Sequence, residues 1–362
     1  MKTGITMEQM AAKVTRQFQA KQDYLVKAGN IRMETYGGDP VLRLLDEDGL
    51  DQVEPLDIKS TAHQQLGTYL NIPSRYYDRM LTEYPDLLTH NVNSWLQRNQ
   101  DQKMLRTLDG SARALLSNRY WRVDHMDILQ AVLPIIDEMP EVRVESCEIT
   151  DVRMYLKFVN PRLQVDVVPG DTVQAGIVIS NSEVGMGAVL VQPLIYRLVC
   201  SNGMVVNDAK TRRNHVGRVT SSDENFLIYS EKTLQADDHA FILKLQDTVR
   251  AAVDEARFSR VVDAMKDAAS AKLNTADVPG VIKLAGSAFG LRETEQPGIL
   301  QHLIDGQDMS LYGLANAVTR FSQDVESYDR ATELESVGYD VLTMPRRQWN
   351  NINQDVGQAR AA

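Results

Sequence analysis

The stretch from Asp151 to Gly217 limits this chain's options most. It opens on strict alternation, Asp151-Val-Arg-Met-Tyr-Leu-Lys-Phe-Val159. Successive side chains of a strand point to opposite faces. Val152, Met154, Leu156 and Phe158 therefore share one face, and Arg153, Tyr155 and Lys157 the other. A half-buried strand of an antiparallel sheet produces this pattern. Further strands are expected at Leu163–Val168, Val173–Ser180, Ala188–Val191 and Leu194–Cys200. Val168-Pro-Gly-Asp171 carries Pro second and Gly third, which is tight-turn chemistry. Asn202-Gly203 is the strongest short hairpin signal, because both positions of such a turn need φ > 0. It is expected to fold Met204–Val206 back onto Leu198–Cys200.

The flanks read as mostly helical. Residues 1–30 suggest an exposed helix, followed by short strands around Gly37-Gly-Asp-Pro40. Asp57–Leu70 has Ala62, Leu66, Tyr69 and Leu70 on one helical face. Asn71-Ile-Pro-Ser74 breaks it before a second helix through Tyr77 and Leu81. Helix, break, helix resembles a helix-turn-helix, although a plain packing pair gives the same spacing. A further helix covers roughly Asp86–Gln100. Met104–Leu116 suggests a hairpin turned at Asp109-Gly110, and Asp124 caps a helix kinked at Pro134. Beyond Ser221, helices are expected at Phe241–Met265, Ala276–Phe289, Ser310–Phe321 and Val325–Val337. The fold class is α+β. Its regions are a mostly helical 1–103, a central antiparallel sheet over 104–220, a helical 221–345, and a polar tail over 346–362 expected to be disordered.

The chain has 362 residues, 43% of them apolar, and a net charge of −10. That is enough for a sizeable core, and the acidity argues against a wholly basic nucleic-acid binder while permitting a local basic patch. Two cysteines, Cys147 and Cys200, exclude a disulfide framework and fit buried thiols in a reducing cytoplasm, here that of a bacterial host cell. Met1–Met10 lacks the apolar core of a signal peptide. No run approaches the ~20 apolar residues of a membrane span, so no membrane partner is expected.

Motifs for chemistry are sparse. The six histidines, His63, His90, His125, His215, His239 and His302, lack zinc spacing, and no metal or cofactor is called for. Ser180-Asn-Ser-Glu-Val-Gly-Met-Gly187 lacks the Lys-Ser/Thr of a phosphate loop and the third glycine of a dinucleotide fingerprint; a tight turn accounts for it. Asp171 with Asp208-Ala-Lys210 sketches a metal-dependent nuclease, a pattern that arises easily by chance. The stronger candidate is a basic-aromatic face. Single strands are held by cations that track phosphates and by aromatics that stack on bases. Arg153, Tyr155 and Lys157 supply both types, and Arg197, Lys210, Arg212, Arg213 and Arg218 would extend the stripe. Arg119-Tyr-Trp-Arg122, with Arg119 and Trp121 as contacts, forms a second cluster.

Four segments carry a family resemblance: Ala114-Leu-Leu-Ser-Asn-Arg-Tyr120, Asn181-Ser-Glu-Val-Gly185, Tyr196-Arg-Leu-Val-Cys-Ser-Asn-Gly-Met204 and Leu311-Tyr-Gly-Leu-Ala-Asn-Ala-Val-Thr-Arg320. In this order they resemble a phage- and plasmid-encoded family of unassigned function, domain of unknown function nine-three-two. The resemblance runs from about Leu56 to Met344. It implies a place among DNA-metabolism genes and supplies no catalytic residue. The expected function is non-enzymatic single-stranded DNA binding by a self-assembling homo-oligomer, with strand annealing as its activity and a host or phage recombination or replication protein as partner. The rivals are an interaction protein that binds or inhibits a host factor without touching nucleic acid, and the nuclease of Asp171, Asp208 and Lys210.

Overall fold

A computed structural model describes residues 1–207, 212–213, 231–252 and 254–358. The chain starts with α1 (Met7–Ala20), whose N-cap Thr6 forms a reciprocal capping box with Gln9. Next come β1 (Gln22–Lys27), β2 (Ile31–Tyr36), β3 (Asp39–Leu44) and β4 (Leu56–Ile58), then α2 (Ser60–Tyr69), α3 (Ser74–Glu83) and α4 (Pro85–Leu96), then β5 (Gln102–Leu108) and β6 (Ser111–Ser117). These strands form one sheet in the order β1-β5-β6-β4-β3-β2, antiparallel except at β4–β6. Both expected turns are present: Gly37-Gly38 and Asp109-Gly110 all have positive φ. Met33, Leu42 and Leu44 pack under Leu66 of α2 and Leu88, Val92 and Leu96 of α4.

The region 1–103 is therefore more than helical, because it holds most of a sheet. Edge strand β1 explains why the pattern is faint: Val26 alone among its six residues is buried, so no alternation shows. The boundary at 103 also cuts β5. The hairpin at Asp109-Gly110 pairs with β1 and β4 and belongs to this first sheet.

The second sheet follows α5 (His125–Asp137), which Asp124 caps. It comprises β7 (Arg143–Ile149), β8 (Met154–Asp166), β9 (Thr172–Asn181), β10 (Val189–Arg197) and β11 (Asn202–Val205), an antiparallel meander ordered β11-β10-β9-β8-β7. The two-residue strand β12 (Arg212–Arg213) pairs with the first half of β10. The turn at Val168–Asp171 closes with Asp171 N–H donating to Val168 O at 2.9 Å, and Gly170 takes φ +83°. Asn202-Gly203 is not the turn. Both residues lie in β11 opposite Arg197 and Tyr196, and the reversal moves upstream to Ser201, with φ +50°. Packing decides it: Asn202 Nδ2 donates to Thr319 Oγ1, and a Cβ on Gly203 would stand 3.0 Å from Met1 Sδ and from Leu194.

The remaining helices are α6 (Glu231–Ala252), α7 (Glu255–Ser270), α8 (Val278–Phe289), α9 (Gln296–Gly306), α10 (Leu311–Phe321), α11 (Tyr328–Leu342) and α12 (Arg346–Gln358). The single helix expected over Phe241–Met265 is two, because Asp254 caps α7 by accepting from Arg257 N at 2.8 Å. On one face of the second sheet, Met154, Leu156, Phe158, Ile177 and Ile179 pack against α1, α5 and α6. α7 to α12 share a core that continues into Val173, Ala175, Ile195 and Met204.

The expected disordered tail is helical through Gln358. Its composition is polar, yet Trp349 and Ile352 are buried in the C-terminal core, and Asn353 bonds Asn274 N at 2.7 Å and Lys272 O at 2.9 Å. Two apolar residues three apart are enough to seat a helix that average hydropathy hides. Trp349→Ala should therefore lower stability by about 3 kcal/mol, the low end for truncating a buried Trp. Urea unfolding would read this, and an unchanged midpoint would mean the tail is free.

Candidate nucleic-acid interface

The basic-aromatic face of β8 is covered. Lys157 is 0% exposed, and its Nζ donates to Glu335 Oε2 of α11 at 2.7 Å while lying 4.7 Å above the Tyr328 ring. Burial pulls its pKa below the usual lysine value, with Glu335 acting against the shift. Tyr155 is buried too; its hydroxyl donates to Asp329 Oδ1 at 2.8 Å, and burial with Asp329 raises its pKa. Neither side chain can reach a nucleic acid. Alternation cannot tell a solvent face from one covered by a helix that brings acids. One signal could have: Glu335 falls on the apolar stripe of α11 with Ala331, Leu334, Gly338 and Leu342, and a carboxylate there requires a buried cation.

Arg153 is half-buried, donating to Ser180 Oγ at 3.2 Å and Met186 O at 2.8 Å, and its guanidinium fills the space a side chain on Gly187 would need. Arg197 is half-buried and pairs with Asp171 Oδ1 at 2.6 Å, while Tyr312 donates to Asp171 Oδ2 at 2.9 Å. Asp171 is thus committed within the protein. Asp208, Lys210 and Arg218 lie outside the described residues. Cys147 is buried as expected, but Cys200 is half-exposed, with Arg197 Nη1 3.2 Å from its Sγ.

The second cluster stays at the surface. Arg119 and Arg122 are exposed and flank half-buried Trp121, whose ring meets Phe241 edge-on at 4.6 Å. Trp121, Arg122, Gln130, His239 and Phe241 border a groove of about 410 Å³ between α5 and α6. The sheet register brings β12 towards it. Arg212 stands opposite Leu190, and Leu190 opposite Ser180, the neighbour of Asn181, whose amide donates to Val123 O at 3.0 Å. Two strand spacings, roughly 10 Å, separate β12 from β9.

A buried polar junction holds this edge, and the sequence reading missed it. Arg106 of β5, 0% exposed, donates to Asp23 Oδ1 at 2.9 Å, Asp124 Oδ1 at 2.6 Å and Glu183 O at 2.9 Å. Burial opposes its charge, and Asp124 and Asp23 more than offset that, so its pKa is raised. Glu183 Oε2 accepts from Arg113 Nη2 at 2.6 Å, and its Oε1 from His125 N at 2.7 Å. Burial alone would raise the Glu183 carboxyl; His125, Arg113 and that backbone N–H bring it down to about 2. Asn181 Nδ2 lies 3.1 Å from His125 Nδ1, and because the same amide donates to Val123 O, Nδ1 is the acceptor and the ring is neutral. Tyr120 donates to Ser182 O at 3.0 Å, and Gln65 to Val184 O at 2.8 Å. The sequence carried little signal for it, because Glu183 directly follows the polar run Ser180-Asn-Ser182, which suits an exposed turn equally well.

The fold and these clasps define an α+β protein of two sheets locked together by buried charge. The family model described as Domain of unknown function (DUF932) matches residues 114–335, and the chain belongs to that family. No curated protein and no solved structure matches. No described helix is long and apolar enough to cross a membrane.

Two outcomes follow. Lys157→Met strands Glu335 and should destabilise by about 3 kcal/mol or more, whereas adding Glu335→Met removes both charges and should recover most of the loss. A double-mutant cycle in urea reads this, and a neutral Lys157→Met would contradict the buried pairing. Burial also holds His125 at about 4, below the unfolded value of 6.5. Its contribution is complete above pH 6.5 and is lost as pH falls through 4, by up to about 3 kcal/mol. His63, likewise lowered to about 4 by burial, acts in the same window. His125→Asn keeps an acceptor for Asn181 and should flatten the decline of the unfolding midpoint between these pH values. A decline as steep as wild type would refute the assignment.

Proposed function

We propose that this chain binds single-stranded DNA without catalysis, through the edge formed by Arg119, Trp121, Arg122 and the arginines of β12. One observation carries the reading: an aromatic-walled groove, Trp121 against Phe241, lined by exposed Arg122, with exposed Arg119 two residues before Trp121 and the Arg212–Arg213 strand two strands away from β9 in the same sheet. A half-exposed indole offers a stacking surface, and guanidinium groups beside it suit phosphates. The set of proposed DNA-binding residues shifts from the sequence expectation, since Tyr155 and Lys157 are buried and Arg197 is paired. Strand annealing by a homo-oligomer, in a phage or plasmid DNA-metabolism setting with a recombination or replication partner, is the activity this binding would serve.

Fluorescence anisotropy of a labelled single-stranded oligonucleotide, at low and physiological salt, tests the reading. Affinity should fall steeply with salt, and Arg212→Ala with Arg213→Ala should lessen the log–log slope by about 0.7 for each phosphate no longer neutralised. Trp121→Ala should weaken binding roughly tenfold at every salt concentration, as removing one stacked base does. No binding at low salt would sink the proposal and turn attention to host proteins. Binding with Mg²⁺-dependent cleavage would favour a nuclease.

A further inference from the structure

Beside the junction lies a second cavity, of about 280 Å³. Leu108, Ile149, Val152 and Val184 give it an apolar wall, and Lys59, Arg113 and His125 line it too. The parallel β4–β6 ladder explains why two cations meet there. Asp57 stands opposite Ser111 and Ile58 opposite Ala112, and Lys59 N donates to Ala112 O at 2.9 Å. Lys59 is thus the next residue along, beside Arg113. Like charges side by side on a sheet repel unless something lies between them.

Glu183 compensates Arg113, and both of its carboxylate oxygens are already engaged, by Arg113 Nη2 and His125 N. Nothing compensates Lys59, which is exposed and pairs with no carboxylate among the described residues. Arg113 Nε is sealed without a partner, whereas Nη1 has no partner among the described residues and is not sealed, making it the open corner of the guanidinium. His125 accepts at Nδ1, so its ring proton sits on Nε2. Of the acids nearby, Asp109 is held by Arg16 through both oxygens at 2.9 and 2.8 Å. Asp151 is exposed and lines the same cavity. The unengaged groups are thus mainly donors, two of them cationic.

We propose that this cavity binds a phosphate-sized oxyanion, held by Lys59 Nζ, Arg113 Nη1 and His125 Nε2–H. The volume falls just below that of pockets for drug-sized ligands, about 300 Å³ and upward, and suits a phosphate with a small part of its ester. The source is either free phosphate or the terminal phosphate of a nucleic-acid strand. The site is separate from the Trp121 groove and stands without it.

Isothermal titration of the full chain with inorganic phosphate, at constant ionic strength, is the test. One saturable site is expected. Lys59→Met should weaken it roughly tenfold, as loss of one charge-assisted hydrogen bond does. Asp151→Asn should tighten it about twofold by removing a like charge. Both side chains are exposed, so the urea midpoint of each variant should match wild type. A second arm compares one oligonucleotide with and without a 5′-phosphate. A preference for the phosphorylated strand that Lys59→Met abolishes identifies the strand end as the source; equal binding of both, with saturable phosphate, identifies the free ion. The proposal is overturned if phosphate shows no saturable binding and the oligonucleotides no difference, or if Lys59→Met leaves phosphate affinity unchanged. Should neither oligonucleotide bind, the DNA reading fails while the phosphate arm still decides this one.

Discussion

Arg106 is the constraint on which the arrangement of the two sheets rests. A fully buried guanidinium is tolerated only when its hydrogen bonds are met and its charge is balanced. Its three acceptors come from three places: Asp23 on β1, Asp124 at the cap of α5, and the Glu183 carbonyl beyond β9. Only one docking of the first sheet on the second supplies them together. Lys21 adds a second cation on Asp124, and Arg113 answers Glu183, so each carboxylate of the cluster is matched. A hydrophobic contact would tolerate sliding, and this one does not.

The segments that carry the family resemblance fall into two such clasps. Ala114–Tyr120 and Asn181–Gly185 meet at the junction, where Gly185 has φ +74° and a Cβ would stand 2.5 Å from Leu116. Tyr196–Met204 and Leu311–Arg320 meet at the other end of the sheet, through Asn202 with Thr319 and through Arg197, Asp171 and Tyr312. In this chain those four segments serve to hold the sheets and the C-terminal helices together. They also define what is presented. Residues 118–123 run from the end of β6 to the cap of α5, tied by the Tyr120 hydroxyl to Ser182 O and by Val123 O to Asn181. The exposure of Trp121 between those ties is set by the clasp.

Local chemistry was legible in the sequence where it is decided locally. Gly37-Gly38, Asp109-Gly110 and Pro169-Gly170 turn as their residue types require, and Asp124 caps α5. What escaped was decided at long range. Asn202-Gly203 has hairpin chemistry, but contacts with Thr319 and Met1 draw it into a strand. Lys157 looks like a surface cation until Glu335, far along the chain, lies over it. Of the candidate DNA-binding residues, Arg119 is exposed and Trp121 is half-buried against Phe241 of α6, whereas Tyr155 is covered by α11.

The same pairing explains how an acidic chain could hold nucleic acid at all. Within the sheets, cations are matched by carboxylates: Arg106 with Asp23 and Asp124, Arg113 with Glu183, Lys157 with Glu335, Arg197 with Asp171. Those charges cancel at short range and project little field. The net −10 lies elsewhere on the surface and repels phosphates in general. A polyanion would then be admitted only where arginines stand at an exposed edge, as proposed for β12, for Arg119 and for Arg122, whose guanidinium also lies 3.7 Å from Asp23 Oδ2. At physiological ionic strength the Debye length is about 8 Å, so such an edge is shielded from the acidic remainder while still acting on a strand that touches it. Locality of charge, rather than its sum, decides whether this surface can bind.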